Sequence, residues 1–228
     1  MKGEEWTRRS LVKGMSVGVP ALVLSGAATA APAQMESGFR PARHQLDAWL
    51  DEVPGQHRVF IDSATSFGAG DAVHYAGNLY RANQEAYSID ASDLAMVICF
   101  RHFATVFGYA DAIWAKYGEQ LSAVASFNDP DTGGAPSANL LDSDEASRSL
   151  PSMGDTITAQ VERGAQFAIC NAATRSFSRN IARATGGSVE DVYEELVANA
   201  IPNSRFVSAG VVATTRAQEY GYSLLYAG

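Results

Sequence analysis

The chain has 228 residues, with 25 Asp and Glu against 17 Lys and Arg, and its formal net charge is −8. This length is enough for one domain with a sizeable hydrophobic core. An acidic surface repels phosphates and anionic headgroups, so the charge argues against nucleic acid and anionic lipid as partners.

The N-terminal segment, residues 1–33, has the three-part order of an export signal. A polar start containing Thr7-Arg8-Arg9-Ser10-Leu11-Val12-Lys13 precedes an uncharged run over 14–26, and small residues follow. The polar start resembles the twin-arginine consensus, with aliphatic replacements at its two hydrophobic positions. The uncharged run is shorter than the roughly 18 to 20 apolar residues that span a bilayer. We therefore predict export by the twin-arginine translocation machinery, cleavage near Ala30 or Ala33, and a periplasmic or secreted protein without a stable membrane anchor.

The rest of the chain alternates strand and helix patterns. A linker and short helix over 34–55 precede strands predicted at 57–63, 93–100, 165–170, 204–208 and 222–226. Helices are predicted at 71–83, 104–117, 155–163, 171–185, 188–201 and 210–220. The run over 93–100 is almost continuously apolar, which is typical of a parallel strand covered on both faces. We predict one domain over 56–228, a three-layer α/β/α sandwich with a mainly parallel five-stranded sheet.

Residues 119–154 interrupt this alternation, because they are rich in turn-forming residues and have no hydrophobic period. We predict a long inserted surface loop, and two interpretations stay open: a lid or binding element, or a disordered segment. The aromatic residues of the preceding helix, Phe107, Tyr109 and Trp114, are candidates for the core or for a subunit interface.

Two segments of the C-terminal half carry a family resemblance. Gly164-Ala-Gln-Phe-Ala-Ile-Cys170-Asn-Ala-Ala is similar to the strand-to-helix turn of the DsrE-like family (DsrE/DsrF/DsrH and YchN-type). Phe206-Val-Ser-Ala-Gly210-Val-Val, with Gln218-Glu-Tyr-Gly221-Tyr222, is similar to that family's ending. With the first two strands, the resemblance covers residues 57–117 and 155–227. It implies the family's sulfur-relay fold, a cysteine that accepts and passes on sulfur as a persulfide, and assembly as a homo-oligomer. The chain departs from the family at Arg101-His102, where many members have a small residue, and in the long 119–154 insertion.

Cys170 is the candidate functional thiol. It ends a predicted strand where a helix begins, so unpaired backbone N–H groups and the positive end of the helix favour its thiolate. That position is at the carboxyl edge of the sheet, where open α/β sheets bind ligands. The alternative is a small buried residue beneath the helix. We predict a protein that binds or relays a sulfur species or small ligand through Cys170. The alternative is a non-catalytic binding or assembly module with the same fold, and whether the protein is an enzyme stays open.

Arg101 and His102 follow the second strand and are candidate assistants to Cys170, as acid, base or ligand. His74 is a further candidate for activating the thiol. An oxidising compartment also allows a disulfide between Cys99 and Cys170, the two cysteines of the chain, provided that their strands are neighbours.

The sequence contains no strong cofactor or metal motif. Gly68-Ala-Gly70 before a helix resembles an anion-binding loop only weakly, and we interpret it as a turn. H-x-x-x-H and C-x-x-C patterns do not occur in the sequence, and its G-x-S-x-G match, Gly14-Met-Ser16-Val-Gly18, lies within the predicted export signal. We therefore predict neither a cofactor nor a metal site.

Overall fold

Five strands form one sheet in which every neighbouring pair is parallel. They are β1 (His57–Ser63), β2 (Leu94–Phe100), β3 (Gln166–Cys170), β4 (Ser204–Val207) and β5 (Ser223–Ala227), in the spatial order β4-β3-β2-β1-β5. The structure is a computed structural model that describes residues 40–144 and 146–228, so the predicted export signal lies outside the described residues. The predicted α/β class with a mainly parallel five-stranded sheet is confirmed.

Seven α-helices accompany these strands within the described residues. They are α1 (Trp49–Glu52), α2 (Ser66–Tyr87), α3 (Asp111–Ala125), α4 (Ile157–Glu162), α5 (Asn171–Thr185), α6 (Val189–Ala198) and α7 (Gly210–Glu219). Short 3-10 helices lie at Gln45–Asp47, Ala91–Asp93, His102–Gly108, Leu140–Asp142 and Ala146–Ser149.

The sheet is buried on both faces because helices cover both sides. Alternate strand residues point to opposite sides, so each strand contributes to two cores. Met96, Ile98 and Phe100 of β2 belong to the larger core, which α2 to α6 cover. Val97 and Cys99 belong to a smaller core, which α1 and α7 cover. All seven residues of β2 are buried, which accounts for its continuous apolar sequence. Burying each large side chain contributes roughly 1.5 to 3 kcal/mol, so this central strand stabilises both layers.

The connections from β1 to β4 lie on one face of the sheet, and the connection that follows β4 lies on the other. From β1 to β4 the chain steps across the sheet in one direction, with the connecting helices packed on the larger core. From β4 it returns through α7, which packs on the opposite face, to reach β5 beside β1. The helices that follow β3 and β4 therefore leave the sheet on opposite sides. Such a switch point opens a crevice at the carboxyl ends of the strands, where ligands of open α/β sheets bind.

The first long helix begins earlier than predicted. The predicted start was residue 71, whereas α2 begins at Ser66, and the Thr65 hydroxyl accepts the backbone N–H of Gly68 at 2.8 Å. Gly68 and Gly70 therefore lie in the helix and not in a turn. A Cβ on Gly68 would lie 2.4 Å from the carbonyl oxygen of Ala227, so this glycine is required by the close approach of α2 to β5.

The predicted helix over 104–117 is two elements. A 3-10 helix ends at Gly108, and α3 continues through a kink at Tyr117 to Ala125. The side-chain amide of Asn139 donates to the carbonyls of Phe107 and Tyr109, at 2.9 and 3.0 Å, and satisfies backbone groups that a continuous helix would use itself. The three aromatic residues considered for a subunit interface, Phe107, Tyr109 and Trp114, are buried in the core.

The predicted loop over 119–154 begins later than expected, and parts of it are buried. Its first residues belong to α3, and the described part of the remainder packs against the domain. Leu140, Leu141 and Leu150 are buried in the larger core, and the polar residues Ser147 and Ser152 are completely inaccessible. Hydrophobic anchors spaced irregularly along a turn-rich segment give no periodic signal, which is why the sequence indicated a free loop.

Candidate functional site

A cleft of about 360 Å³ lies at the switch point between β3 and β4. Its lining includes three of the predicted site residues: Cys170, His102 and Arg101. The remainder of its lining comes from the beginning of α5 and of α7: Ala172, Ala173, Ser176, Ala209, Gly210 and Val211. The structure therefore brings together residues from the ends of β2, β3 and β4.

Two helices begin at the cleft without a side-chain cap. Cys170 is the N-cap residue of α5 and Ala209 that of α7, and neither side chain bonds a backbone N–H of its helix. The first N–H groups of each helix have no partner within that helix, and the helix dipole places positive potential there. The cleft thus lies beside two positive helix ends, an environment that favours a bound anion or a thiolate.

The two cysteines have different environments. Cys170 lines the cleft and is 7% exposed, whereas Cys99 is completely buried in the smaller core. Burial raises the pKa of Cys99 well above its ordinary value, and the nearby carboxylate of Asp62 raises it further. Cys99 is therefore a protonated core thiol, and Cys170 is the cysteine that small molecules can reach.

The disulfide that the sequence allowed between Cys99 and Cys170 is not formed, and both cysteines are free. Their strands β2 and β3 are neighbours, but Cys99 pairs in register with Ala168, two residues before Cys170. With strands about 4.8 Å apart and a rise of about 3.3 Å per residue, this diagonal separates the two Cα atoms by about 8 Å. That distance exceeds the limit of about 7 Å for a disulfide.

Arg101 is held by a carboxylate that the sequence analysis did not assign to the site. Its Nε donates to Oδ1 of Asp62 at 2.7 Å and its Nη2 to Oδ2 at 2.8 Å, in the bidentate arrangement that guanidinium and carboxylate favour. The hydrogen bond to Asp62 raises the pKa of Arg101. An acidic residue near the carboxyl end of a parallel strand was the signal for Asp62. This pair fixes the arginine, while Nη1 makes no bond to Asp62.

His102 has a left-handed backbone conformation, with φ of 53°, which is uncommon outside glycine. It begins the 3-10 helix directly after Arg101, and its ring stacks on Phe103 with centroids 4.0 Å apart. The residue is exposed and lines the cleft. Unfavourable backbone conformations of this kind cluster at functional sites, so the geometry agrees with the predicted position of His102 at the site.

His74 lies in a different cluster. Its Nδ1 donates to Oδ2 of Asp155 at 2.9 Å, and its Nε2 accepts from the Asn78 amide at 3.0 Å. Arg81 donates to the same carboxylate at 2.8 and 3.1 Å. His74 is not part of the cleft lining, so the prediction that it activates the thiol is wrong. Burial by itself would raise the pKa of Asp155, but the hydrogen bonds from Arg81 and His74 outweigh it and the pKa is lowered.

Within residues 40–144 and 146–228, no three His, Cys, Asp or Glu side chains are placed to hold a metal ion together. Among the helices of those same ranges, none is both long and apolar enough to cross a bilayer. No family model, curated protein or solved structure matches this chain. The resemblance to the DsrE-like family stays a prediction.

Proposed function

We propose that this chain is an exported protein that binds a small sulfur species in the β3–β4 cleft and carries sulfur on Cys170. One observation carries the proposal: a cysteine that lines the cleft, Arg101 and two uncapped helix N-termini meet in one place. A sulfur donor such as a low-molecular-weight persulfide is small and anionic, and it fits a site with positive potential beside a thiol.

The transfer step needs no external oxidant or reductant. The Cys170 thiolate attacks the outer sulfur of a donor R–S–SH and forms a new S–S bond with it. The S–S bond of the donor breaks, and R–S⁻ leaves with the electron pair. Cys170 becomes a persulfide, which a downstream thiolate resolves by the same exchange. Cys170 attacks from the N-terminus of α5, and the exposed imidazole of His102 lines the same cleft, within which the departing thiolate takes up a proton.

A second candidate function is a binding module without covalent chemistry. Two observations favour it: Cys170 is only 7% exposed, and the guanidinium of Arg101 is already paired with Asp62. Such a module uses the same cleft to hold a small anion, and the thiol serves as part of its wall.

Thiol reactivity separates these two functions, and the chain supplies its own control cysteine. We expect wild type and Cys99→Ser to gain the mass of one sulfur atom when treated with glutathione persulfide. In a separate sample without persulfide, both proteins should react with a maleimide. Cys170→Ser should do neither, because Cys99 is completely buried. Intact-mass spectrometry under native conditions measures both reactions.

An unreactive Cys170 in the folded wild-type protein would overturn the sulfur-carrier function. The binding module would then be tested by titrating thiosulfate into wild type and Cys170→Ser and following the amide signals of α5 and α7. Saturable shifts of equal size in both proteins would establish binding without covalent chemistry.

A further inference from the structure

Within residues 40–144 and 146–228, β5 is an edge strand with a neighbouring strand on one side only, and it has exposed apolar side chains on both faces. Leu224 is 44% exposed, Leu225 36% and Tyr226 55%. Leu225 lies on the face covered by α2, since it pairs with Ile61, and its two neighbours lie on the face covered by α7. An edge of this kind presents unpaired backbone N–H and C=O groups between apolar side chains, which is a template for pairing with another chain.

The opposite edge of the sheet, at β4, is protected. β4 has only four residues, and its exposed Arg205 places a positive charge on the edge. The guanidinium of Arg205 lies over the ring of Trp49, 5.4 Å from its centroid, so α1 shields this strand. Natural sheets blunt free edges with short strands, charges and covering segments. By contrast, residues 221–228 include no charged side chain.

The apolar surface at β5 extends to the beginning of α2. Gly68 approaches Ala227, and the neighbouring Phe67 is 63% exposed. With about 150 to 250 Å² per aromatic side chain, Phe67 and Tyr226 together expose roughly 180 to 290 Å². Leu224 and Leu225 add to this area. A standard interface buries about 800 Å² per partner, somewhat more than half of it apolar, so this patch supplies a large share of what a dimer needs.

We propose that β5 pairs with β5 of a second copy of this chain, antiparallel and about a twofold axis, so that one sheet continues across two protomers. A twofold contact brings the same patch of both copies together, and an uncharged strand can face itself without repulsion between like charges. The partner is a second copy because the edge is self-complementary in both its backbone groups and its apolar side chains. This inference is independent of the function proposed for the cleft.

Sedimentation velocity of the full chain over a range of concentrations tests the proposal. We expect a concentration-dependent dimer in wild type, and a loss of dimer affinity of at least tenfold in Leu225→Lys. Val189→Lys is the matched control, because Val189 is 43% exposed but lies on α6, away from the edge. Circular dichroism of both variants checks that they are folded. A dimer that persists in a folded Leu225→Lys, or a wild-type chain that stays monomeric at every concentration, would overturn the proposal.

A second measurement does not depend on weakening the contact. Ser223 is exposed on the same strand, so Ser223→Cys, made together with Cys170→Ser and Cys99→Ser, carries a single accessible thiol. Bismaleimide crosslinkers of short span should join two copies of this variant in high yield. The same background with Val189→Cys, an exposed residue at the start of α6, should stay uncrosslinked. Equal yields at the two positions would contradict pairing through β5.

Discussion

Gly210 shows how one missing methyl group shapes the cleft wall. A Cβ at this position would lie 2.3 Å from Cβ of Arg101, so the beginning of α7 touches the stem of the arginine directly. This approach brings the α7 N-terminus to the cleft, and it keeps Arg101 against Asp62. The requirement comes from packing and not from backbone conformation.

We therefore predict that Gly210→Ala lowers the free energy of unfolding by about 1 to 3 kcal/mol, since overpacking forces α7 and Arg101 apart. Urea denaturation measures this change. Gly134→Ala is the control: the nearest atom to its added Cβ is 3.8 Å away, and we expect a change within about 0.5 kcal/mol. Equal effects of the two substitutions would show that Gly210 is not needed for the contact.

At the scale of elements, the Asp155 cluster connects the turn-rich segment before α4 to the middle of α2. Asp155 is 8% exposed and occupies space that Gly77 leaves open, where a Cβ would lie 2.4 Å from its Oδ1. Asn78 bridges the cluster, because it donates to His74 and its Oδ1 accepts from Arg81 at 2.7 Å. The cluster explains why a segment without hydrophobic period has a defined position.

Asp155→Asn should destabilise the fold by about 2 kcal/mol at neutral pH, less than a fully buried ion pair because the side chain of Arg81 is 43% exposed. The pKa of Asp155 is lowered in the folded state, so its contribution is complete above the unfolded pKa of about 3.9 and is lost as pH falls through the folded pKa. Urea denaturation of wild type and variant from pH 7 to pH 3 measures this. The difference should stay constant above about pH 5 and shrink in acid.

Several elements were predictable because their signals are local. The boundaries of β1 and α5 agree with the prediction, and Ser188 caps α6 by accepting the N–H of Asp191. α2 and α3 were misplaced where glycines serve packing and where Asn139 takes over backbone bonds. Those causes lie in residues distant in sequence, whereas a hydrophobic period reflects only neighbouring residues.

At the scale of the whole molecule, the N-terminal segment decides in which compartment the proposed site works. If that segment acts as an export signal, the site works outside the cytoplasm. We predict that replacing Arg8-Arg9 with Lys-Lys leaves the chain in the cytoplasm at precursor size, because the twin-arginine pathway recognises the arginine pair. Cell fractionation with an immunoblot checks this. Lys2→Gln, outside the motif, should be exported and processed normally. Export of the double-lysine variant at the wild-type level would rule out the twin-arginine route.

The sequence by itself determined the class of fold and the position of Cys170 at a strand end, because the patterns of strands and helices depend on neighbouring residues. Tertiary structure alone decided the strand order β4-β3-β2-β1-β5, the pairing of Arg101 with Asp62, and the separation of Cys99 from Cys170. These features depend on which strands become neighbours and in what register. That choice is made by the packing of the whole core, where residues far apart in the chain must bury their apolar surfaces together.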